Sequence, residues 1–569
     1  MSDTTLTREP GSSTQSSILG WFGGRRGRQL REAVTAYLFL LPALLIIGTF
    51  GLFPLAFSAY ESTLTGLATF LGDYGGMENY TKAIGELAYV VAFWIAAVLA
   101  FLAVRSLADL ARTAREGSDR PWLWSVPGIV TAAGLGLFAR FFFVFLPEVL
   151  DIANKVKGEK VTTALFNQLL VEAWRAPAVQ DALRGSLLVL VVGGVLAFLV
   201  GRFLVRSPRN GSHYVTFIVA SLLLMAAGIL TWFTWSEIQA AYAEALENGE
   251  GLALWSQVVT ISAGFLLLIL SWWLWGSASR RPSNSGMFLR LGAAALLMIG
   301  AWVLIGELPR VIAAGDKDWW QGLVVTVYYS AGSIPFQLCI SLVIAVLLFQ
   351  NIRGRDLFRL VYFLPYITPT VAAAAAFRIF FSSRVTAPAN SLLGLVGIGP
   401  QPWRDGPEGI LMMLGDALGI AVPSWAAGPS MSMVVIIIFG IWTFVGWDVV
   451  IFLAGLGSIS KELYEAASID GAGRGAQFRH ITLPLLSPTI YFITLWAVIG
   501  TFKAFTHIWV LRSRAALGTT DTASVVIFNE FKRNNRYGYA SALAIVLLII
   551  ILILTTINNR IARERVFYG

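Results

Sequence analysis

Apolar runs of about eighteen residues or more recur along the whole 569-residue chain, and a run of that length is what crosses a bilayer. In hydrocarbon every backbone N–H and C=O must be paired, and runs of this length meet that requirement as helices. The expected class is all-α, a polytopic helical membrane protein. The formal charge of +9 does not point to nucleic acid, because Lys and Arg sit in short loops between the runs, where they set topology. The single cysteine, Cys339, lies within an apolar run and forms no intrachain disulfide. Residues 1–35 read as a disordered tail, rich in Ser, Thr and Gly, ending in a basic anchor of Arg25, Arg26, Arg28 and Arg31. The apolar run that follows is too long for a signal peptide and lacks a small-residue cleavage site, so it is expected to be retained.

The spans sort into two groups. One comprises a first span near 36–60 and five later ones near 322–349, 360–381, 432–456, 488–511 and 540–557. Between them, 85–318 reads as an inserted block of six further runs, near 88–104, 122–146, 186–205, 214–235, 257–275 and 288–308. Loops with Arg105, Arg112, Arg115 and Arg120, with Arg202, Arg206 and Arg209, and with Arg280, Arg281 and Arg290 alternate with acidic or mixed ones. The latter hold Glu148, Asp151 and Glu159; Glu237, Glu244, Glu247 and Glu250; and Glu307, Asp316 and Asp318. That alternation puts the Arg-rich loops inside and predicts about twelve spans with both termini cytoplasmic. The resulting division is 1–35 tail, 36–84 first span and external loop, 85–318 insertion and 319–569 core. Leu223-Leu224-Met225 and Leu296-Leu297-Met298, after turns at 207–212 and 281–286, suggest repeated hairpins within the block. The proline-rich stretch 382–430 reads as an external loop in which ILMMLGDALGI forms an amphipathic helix.

One polar segment, 461–486, is caught between two of the later spans. Lys461 to Ser468 combines good helix formers with an apolar stripe of Leu463, Ala466, Ala467 and Ile469. Gly471 and Gly473 are expected to supply positive φ at its end, and a second helix is expected from Ala476 to Ile481, stopping before Pro484. The spacing reads Glu465-Ala466-Ala467, three residues, Gly471, nine residues, then Ile481, Thr482, Leu483 and Pro484. This resembles the coupling-loop signature of ABC importer permeases, and the chain is similar to the maltose-type carbohydrate permeases. GMENYTK, DKDWWQGLVVTVYYS, the stretch from Gly354 to Pro365, Asn390-Ser391-Leu392-Leu393 and Ser424-Trp425 carry the same resemblance. It covers 36 to about 86 and 319–569. The resemblance implies a type I importer permease core in a prokaryotic cell membrane, working with a second homologous permease, cytoplasmic ATP-binding subunits and an extracytoplasmic solute-binding protein. It also implies that Glu465, Ala466, Ala467, Gly471, Ile481, Leu483 and Pro484 form the ATPase-coupling surface, with Glu465 pairing with a basic residue of the ATPase. The chain departs from the family in RSRAALGTTD, which stands in place of a Gly-rich run. It departs again at Ala497, Gly500, Thr501 and Ala504, where the maltose permease has Ser and Asn.

No catalytic constellation is expected, and no cofactor or metal. The chain has no Gly-Lys pair, so it lacks a P-loop, and ATP hydrolysis must come from a separate subunit. His213, His480 and His507 lack metal-ligand spacing and read as isolated loop and interface residues. For a substrate path the candidates are Trp442, Trp447 and Asp448 in the fourth span, with Trp496, Thr501, Phe502 and Lys503 in the fifth. Aromatic faces with a few polar groups suit a sugar, and charges inside a span are functional candidates. The tryptophans alternatively pack against lipid or neighbouring helices, and Lys503 alternatively snorkels. The expected function is import of a sugar, an oligosaccharide or glycoside. A permease for a non-sugar solute is the nearest alternative, and a twelve-helix secondary transporter would show two similar halves.

Overall fold

In a computed structural model the chain is described at residues 25–66, 72–117, 120–156, 158, 162–204, 210–247, 254–278, 284–305, 314–350 and 353–565. It divides into two units, one ending at Tyr60 and one running from Glu61. In the first, a helix Arg25–Ile46 passes through Pro42 into a π-turn Ile47–Leu52 and on into Phe53–Glu61. Arg25 to Arg31, expected to close a disordered tail, fall in the first turns of this helix. Residues 1–24 lie outside the described residues.

Among its described residues the second unit is mainly helical, with a two-residue antiparallel ladder, Leu64↔Tyr74 and Thr65↔Asp73, and an isolated bridge between Gly409 and Ser430. Six long apolar helices occupy the intervening block: Leu87–Gly117, Ser125–Leu150, Pro177–Leu199, Asn210–Glu247, Leu254–Ala278 and Asn284–Ile305. The amphipathic helix Thr163–Arg175, capped by Thr162, was not anticipated. Leu87–Gly117 packs on Asn210–Glu247, Ser125–Leu150 on Pro177–Leu199, and Leu254–Ala278 on Asn284–Ile305. The two Leu-Leu-Met triplets therefore sit in helices with different kinds of partner, and the repeat reading fails; Leu-rich helices resemble each other by composition. Residues 207–209 and 281–283 of the turns before them, with Glu159, Arg206, Glu250, Arg280 and Glu307, lie outside the described residues.

The later helices follow the expected order with three corrections. The second span is Lys317–Phe349, its first turn capped by the Asp316 carboxylate, which accepts from Asp318 N at 2.9 Å and Trp319 N at 3.3 Å. The third is broken, not continuous: Arg355–Ile367 and Thr370–Phe380 meet at 93°. Pro369 forces Thr368 into an extended conformation (φ −64°, ψ 134°) and interrupts the ladder. The fourth span is Met431–Gly457, and the sixth is Tyr537–Arg565. The fifth is shorter than expected, Ser487–Phe502, followed by a break and a six-residue helix Thr506–Leu511. It also meets the preceding Arg474–Leu485 at 60°. Ten helices among the described residues are long and apolar enough to cross a membrane, or twelve if each bent pair is one span.

One core cluster joins the second and sixth spans through Trp319, Leu323, Leu543 and Leu547, and it takes in Ala88, Tyr89, Ile238 and Ile261 from the intervening helices. A second joins Tyr329, Ala374, Phe439, Ile508 and Leu511; a third joins Leu348, Phe452, Leu456, Leu486 and Ile493 at the end next to 461–486. In the proline-rich stretch the expected helix forms over Ile410–Leu418, with Leu411, Leu414 and Leu418 exposed.

Candidate functional site

The polar segment folds into a small knob. Ser460 caps the helix Lys461–Ile469, its hydroxyl accepting from Glu462 N at 3.3 Å. Gly471 ends it at φ 80°, a conformation costly for any residue with a Cβ. Gly473 does not share that role: its φ is −71°, and it caps the next helix. That helix starts at Arg474 and runs on through Pro484, contrary to the expected stop, by way of a π-turn at Phe478–Thr482. In that turn Leu483 N donates to Phe478 O, five residues back, immediately ahead of the proline, which has no N–H to donate. Gln477 holds the two arms together, its Nε2 donating to Ser468 Oγ at 2.8 Å and Ala472 O at 3.2 Å, and the Tyr464 and Thr482 hydroxyls meet at 3.0 Å. On the surface lie Glu465, Ala466, Gly471, Leu463 and Ile469, the last 87% exposed. Ala467, Ile481, Leu483 and Pro484 are half-buried at its base.

The knob is tied to two spans. The fourth span runs directly into it at Gly457, and the fifth leaves it at the 60° bend, where Leu486 is fully buried against Phe452 and Leu456. About nine residues further along each, the two spans face a common cavity of about 240 Å³. Its lining includes Trp447, Asp448, Trp496 and Thr501 from the expected set, joined by Tyr329, Gln337, Tyr366, Thr370, Thr443 and His507. Gln337 Nε2 donates to Asp448 Oδ2 at 2.5 Å. The Tyr329 hydroxyl meets His507 Nε2 at 2.9 Å, and the Ser330 hydroxyl donates to Thr501 at 2.5 Å. Tyr366 stacks on Trp447 with centroids 5.1 Å apart, at the point where the third span breaks. The buried Thr443 hydroxyl has no hydrogen-bond partner among the described residues.

Three expected path residues lie elsewhere. Trp442 packs on Phe377 and Phe439, turned away from the cavity by the helical offset from Trp447. Phe502 is buried in the cluster around Trp319 and Leu323, and Lys503 is exposed at the break that follows it. His507 corrects the reading in the other direction: it is a buried core residue, not a loop histidine. Gln337, Tyr329 and Tyr366 were missed; a neutral polar residue in a span gives no sequence sign of the face it occupies.

The family described as binding-protein-dependent transport system inner membrane component matches residues 337–566. The probable ABC transporter permease protein YesP of Bacillus subtilis (strain 168) is 32% identical over 291 residues, covering 50% of this chain and 86% of that protein. The chain belongs to the ABC transporter permeases. Also similar to this permease is the arabinooligosaccharides transport system permease protein AraP of the same organism, 30% identical over 45% of this chain and 75% of AraP. The trehalose/maltose transport system permease protein MalF of Thermococcus litoralis is 27% identical over 45% of this chain and 78% of MalF. The family match begins at Gln337, so the knob and the Gln337–Asp448 pair both fall within the matched part of the permease, whereas the first span and the intervening helices precede it.

Proposed function

We propose that this permease is the membrane subunit of an ATP-driven, binding-protein-dependent importer that carries a sugar, an oligosaccharide or glycoside, into the cytoplasm. One observation carries the reading: the two spans that enter and leave the exposed knob are the spans that wall the polar, aromatic cavity. A partner that grips the knob moves both walls together, since Leu486 and the Gln477 hydrogen bonds leave little slack between them. Glu465, Ala466 and Ile469 supply the grip, a charge for a basic partner residue and small and apolar surface for close packing. ATP-driven closure of a pair of ATP-binding subunits then rocks the walls between inward-facing and outward-facing states. A second homologous permease completes the path, a solute-binding protein delivers the sugar from outside, and both termini lie in the cytoplasm of a prokaryotic cell.

The cavity chemistry suits the cargo. Tyr366, Trp447 and Trp496 offer faces to sugar C–H groups, while Gln337, Thr443, Asp448 and Thr501 supply hydrogen bonds to hydroxyls. At about 240 Å³ the cavity is smaller than the roughly 300–1,000 Å³ of ligand pockets, so the spans must part to admit an oligosaccharide. Uptake of labelled arabinotriose and maltotriose by cells expressing the transporter, with ATP hydrolysis measured on the purified complex, tests the reading. Glu465→Lys is expected to abolish ATP-dependent uptake while the protein still reaches the membrane. Normal uptake by that variant would remove the knob from the mechanism.

A further inference from the structure

At the end of the spans opposite the knob lies a larger and open cavity of about 600 Å³, lined by Arg378, Trp509, Arg512, Arg514, Asp521 and Arg533 among others. Its position follows from the chain. The Ser432 hydroxyl at the start of the fourth span donates to Arg404 O at 2.7 Å, and Arg404 Nε donates to Leu511 O at 3.3 Å. These contacts place the 511–522 loop at the end of the fourth span away from Gly457. The helix Thr506–Leu511 joins the two cavities, since Thr506 and His507 line the inner one and Trp509 and Val510 the outer one.

Four guanidinium groups share this mouth with one carboxylate. Arg512 is paired with Asp521 at 3.4 Å, its side chain 15% exposed, and its guanidinium lies 3.7 Å over the Trp509 ring. Arg533 lies 5.4 Å from the centre of the same ring. Arg378, Arg514 and Arg533 are exposed and make no ion pair among the described residues. Burial lowers the pKa of Arg512, and the neighbouring Arg533 and Arg514 charges add to that, with Asp521 opposing. Like charges held this close repel unless an anion joins them. With the knob in the cytoplasm, as proposed above, arginines on this face also run against the topology bias, because positive residues collect on the cytoplasmic side. The gathering therefore needs a cause other than orientation.

We infer that this mouth receives a sugar bearing carboxylate groups, a uronic-acid oligosaccharide, on its way to the inner cavity. The inference rests on the reading of the permease as a sugar importer and narrows its substrate class. Guanidinium forks bind carboxylates in a bidentate manner, and two of these are already oriented on one indole, so little ordering is left for the ligand to impose. Asp521 leaves the site a net positive charge and also fixes Arg512.

The test uses the complete transporter in proteoliposomes, offered an equimolar mixture of trigalacturonate and maltotriose, with uptake read by mass spectrometry. Wild type is expected to import trigalacturonate in preference. Arg514→Gln and Arg533→Gln, at exposed positions, are each expected to lower trigalacturonate uptake about tenfold relative to maltotriose uptake from the same mixture. Import of maltotriose without trigalacturonate would overturn the inference and leave the sugar reading standing. Equal loss of both sugars in the variants assigns the arginines to docking of the binding protein, and an effect that appears only with anionic phospholipid assigns them to headgroups; either outcome overturns it. Import of neither sugar removes the sugar reading and this inference with it.

Discussion

Asp448 lies within a 27-residue span, where an unpaired carboxylate is costly, and Gln337 from the second span meets it at 2.5 Å. Gln337→Leu removes that donor and leaves the buried carboxylate without it. The expected cost is about 1–3 kcal/mol, read as a lower melting temperature in detergent, together with reduced uptake. Asp448→Asn, which keeps a carbonyl to accept from Gln337, is expected to melt close to wild type; equal losses in both variants would show that the pair is not what stabilises this contact. Asp448 was legible in the sequence because a charge in an apolar run announces itself. Gln337, Tyr329 and His507 were not, because their importance comes from which neighbours three other spans bring to them. A second carboxylate, Asp405, works outside the membrane. Its two oxygens accept from the Ser383 and Ser513 hydroxyls at 2.5 Å each, stapling the 382–430 loop to the 511–522 loop. Burial alone would raise its pKa, but those two hydroxyls with Arg404 and Arg378 hold it below the ordinary value of 3.8. A depressed pKa stabilises the fold above the unfolded value, and that contribution is lost as pH falls through the folded one. Melting temperature is therefore expected to drop as pH falls below about 4, more steeply in wild type than in Asp405→Asn. Asp521, whose pKa is raised mainly by burial, contributes with the opposite sign, so identical pH profiles for the two proteins would remove Asp405 as the source.

Among the elements, the broken third span depends on a glycine in the fourth. A Cβ on Gly446 would overlap the Tyr362 carbonyl and crowd Phe363 Cα, so the half-helix Arg355–Ile367 rests on that bare backbone. Close approach through small residues is how spans associate where lipid offers no hydrophobic drive. Gly446→Val is expected to push the half-helix off, at about 1–3 kcal/mol for overpacking, and to displace Tyr366 from Trp447 in the cavity wall. Thermal melting and uptake should both fall; Gly500→Val, where nothing lies within 4 Å of a Cβ, serves as the control for melting. An unchanged melting temperature in Gly446→Val would refute this packing. Span number and order were legible because the bilayer thickness dictates about twenty apolar residues per crossing. The bends were not. Pro369 and Pro484 look alike in sequence, yet one sits at a 93° break while the helix runs through the other after a π-turn.

For the molecule as a whole, the question is what the helices between Ile84 and Asp316 do. The chain leaves and returns at one place: Asp316 N donates to Lys82 O at 3.0 Å and to Ala83 O at 3.2 Å, and the Asp316 carboxylate accepts from Tyr539 at 2.5 Å. An even number of spans between these points leaves every later span in the orientation it would have without them. Contact with the rest runs mainly through Ala88, Tyr89, Ile238 and Ile261, and through Glu237, whose carboxylate accepts from Met77 N at 3.2 Å. None of these residues lines the inner cavity. Outward they present Leu188, Val191, Trp302 and Val303, each more than half exposed, as lipid would require. We therefore propose that residues 85–318 are an addition to a permease core, packed beside it as a lipid-facing collar. Deleting 88–310 is expected to leave a short linker across a gap that the fold already closes, and short linkers join neighbouring helices without strain. The shortened protein should reach the membrane, assemble with its ATP-binding subunits and retain ATP-dependent uptake within a few-fold of the full chain. Some loss of thermal stability is expected, since Trp319 and Leu323 lose the cover of Tyr89, Ile238 and Ile261. A shortened protein that assembles but transports nothing would move these helices from the periphery into the transport cycle itself.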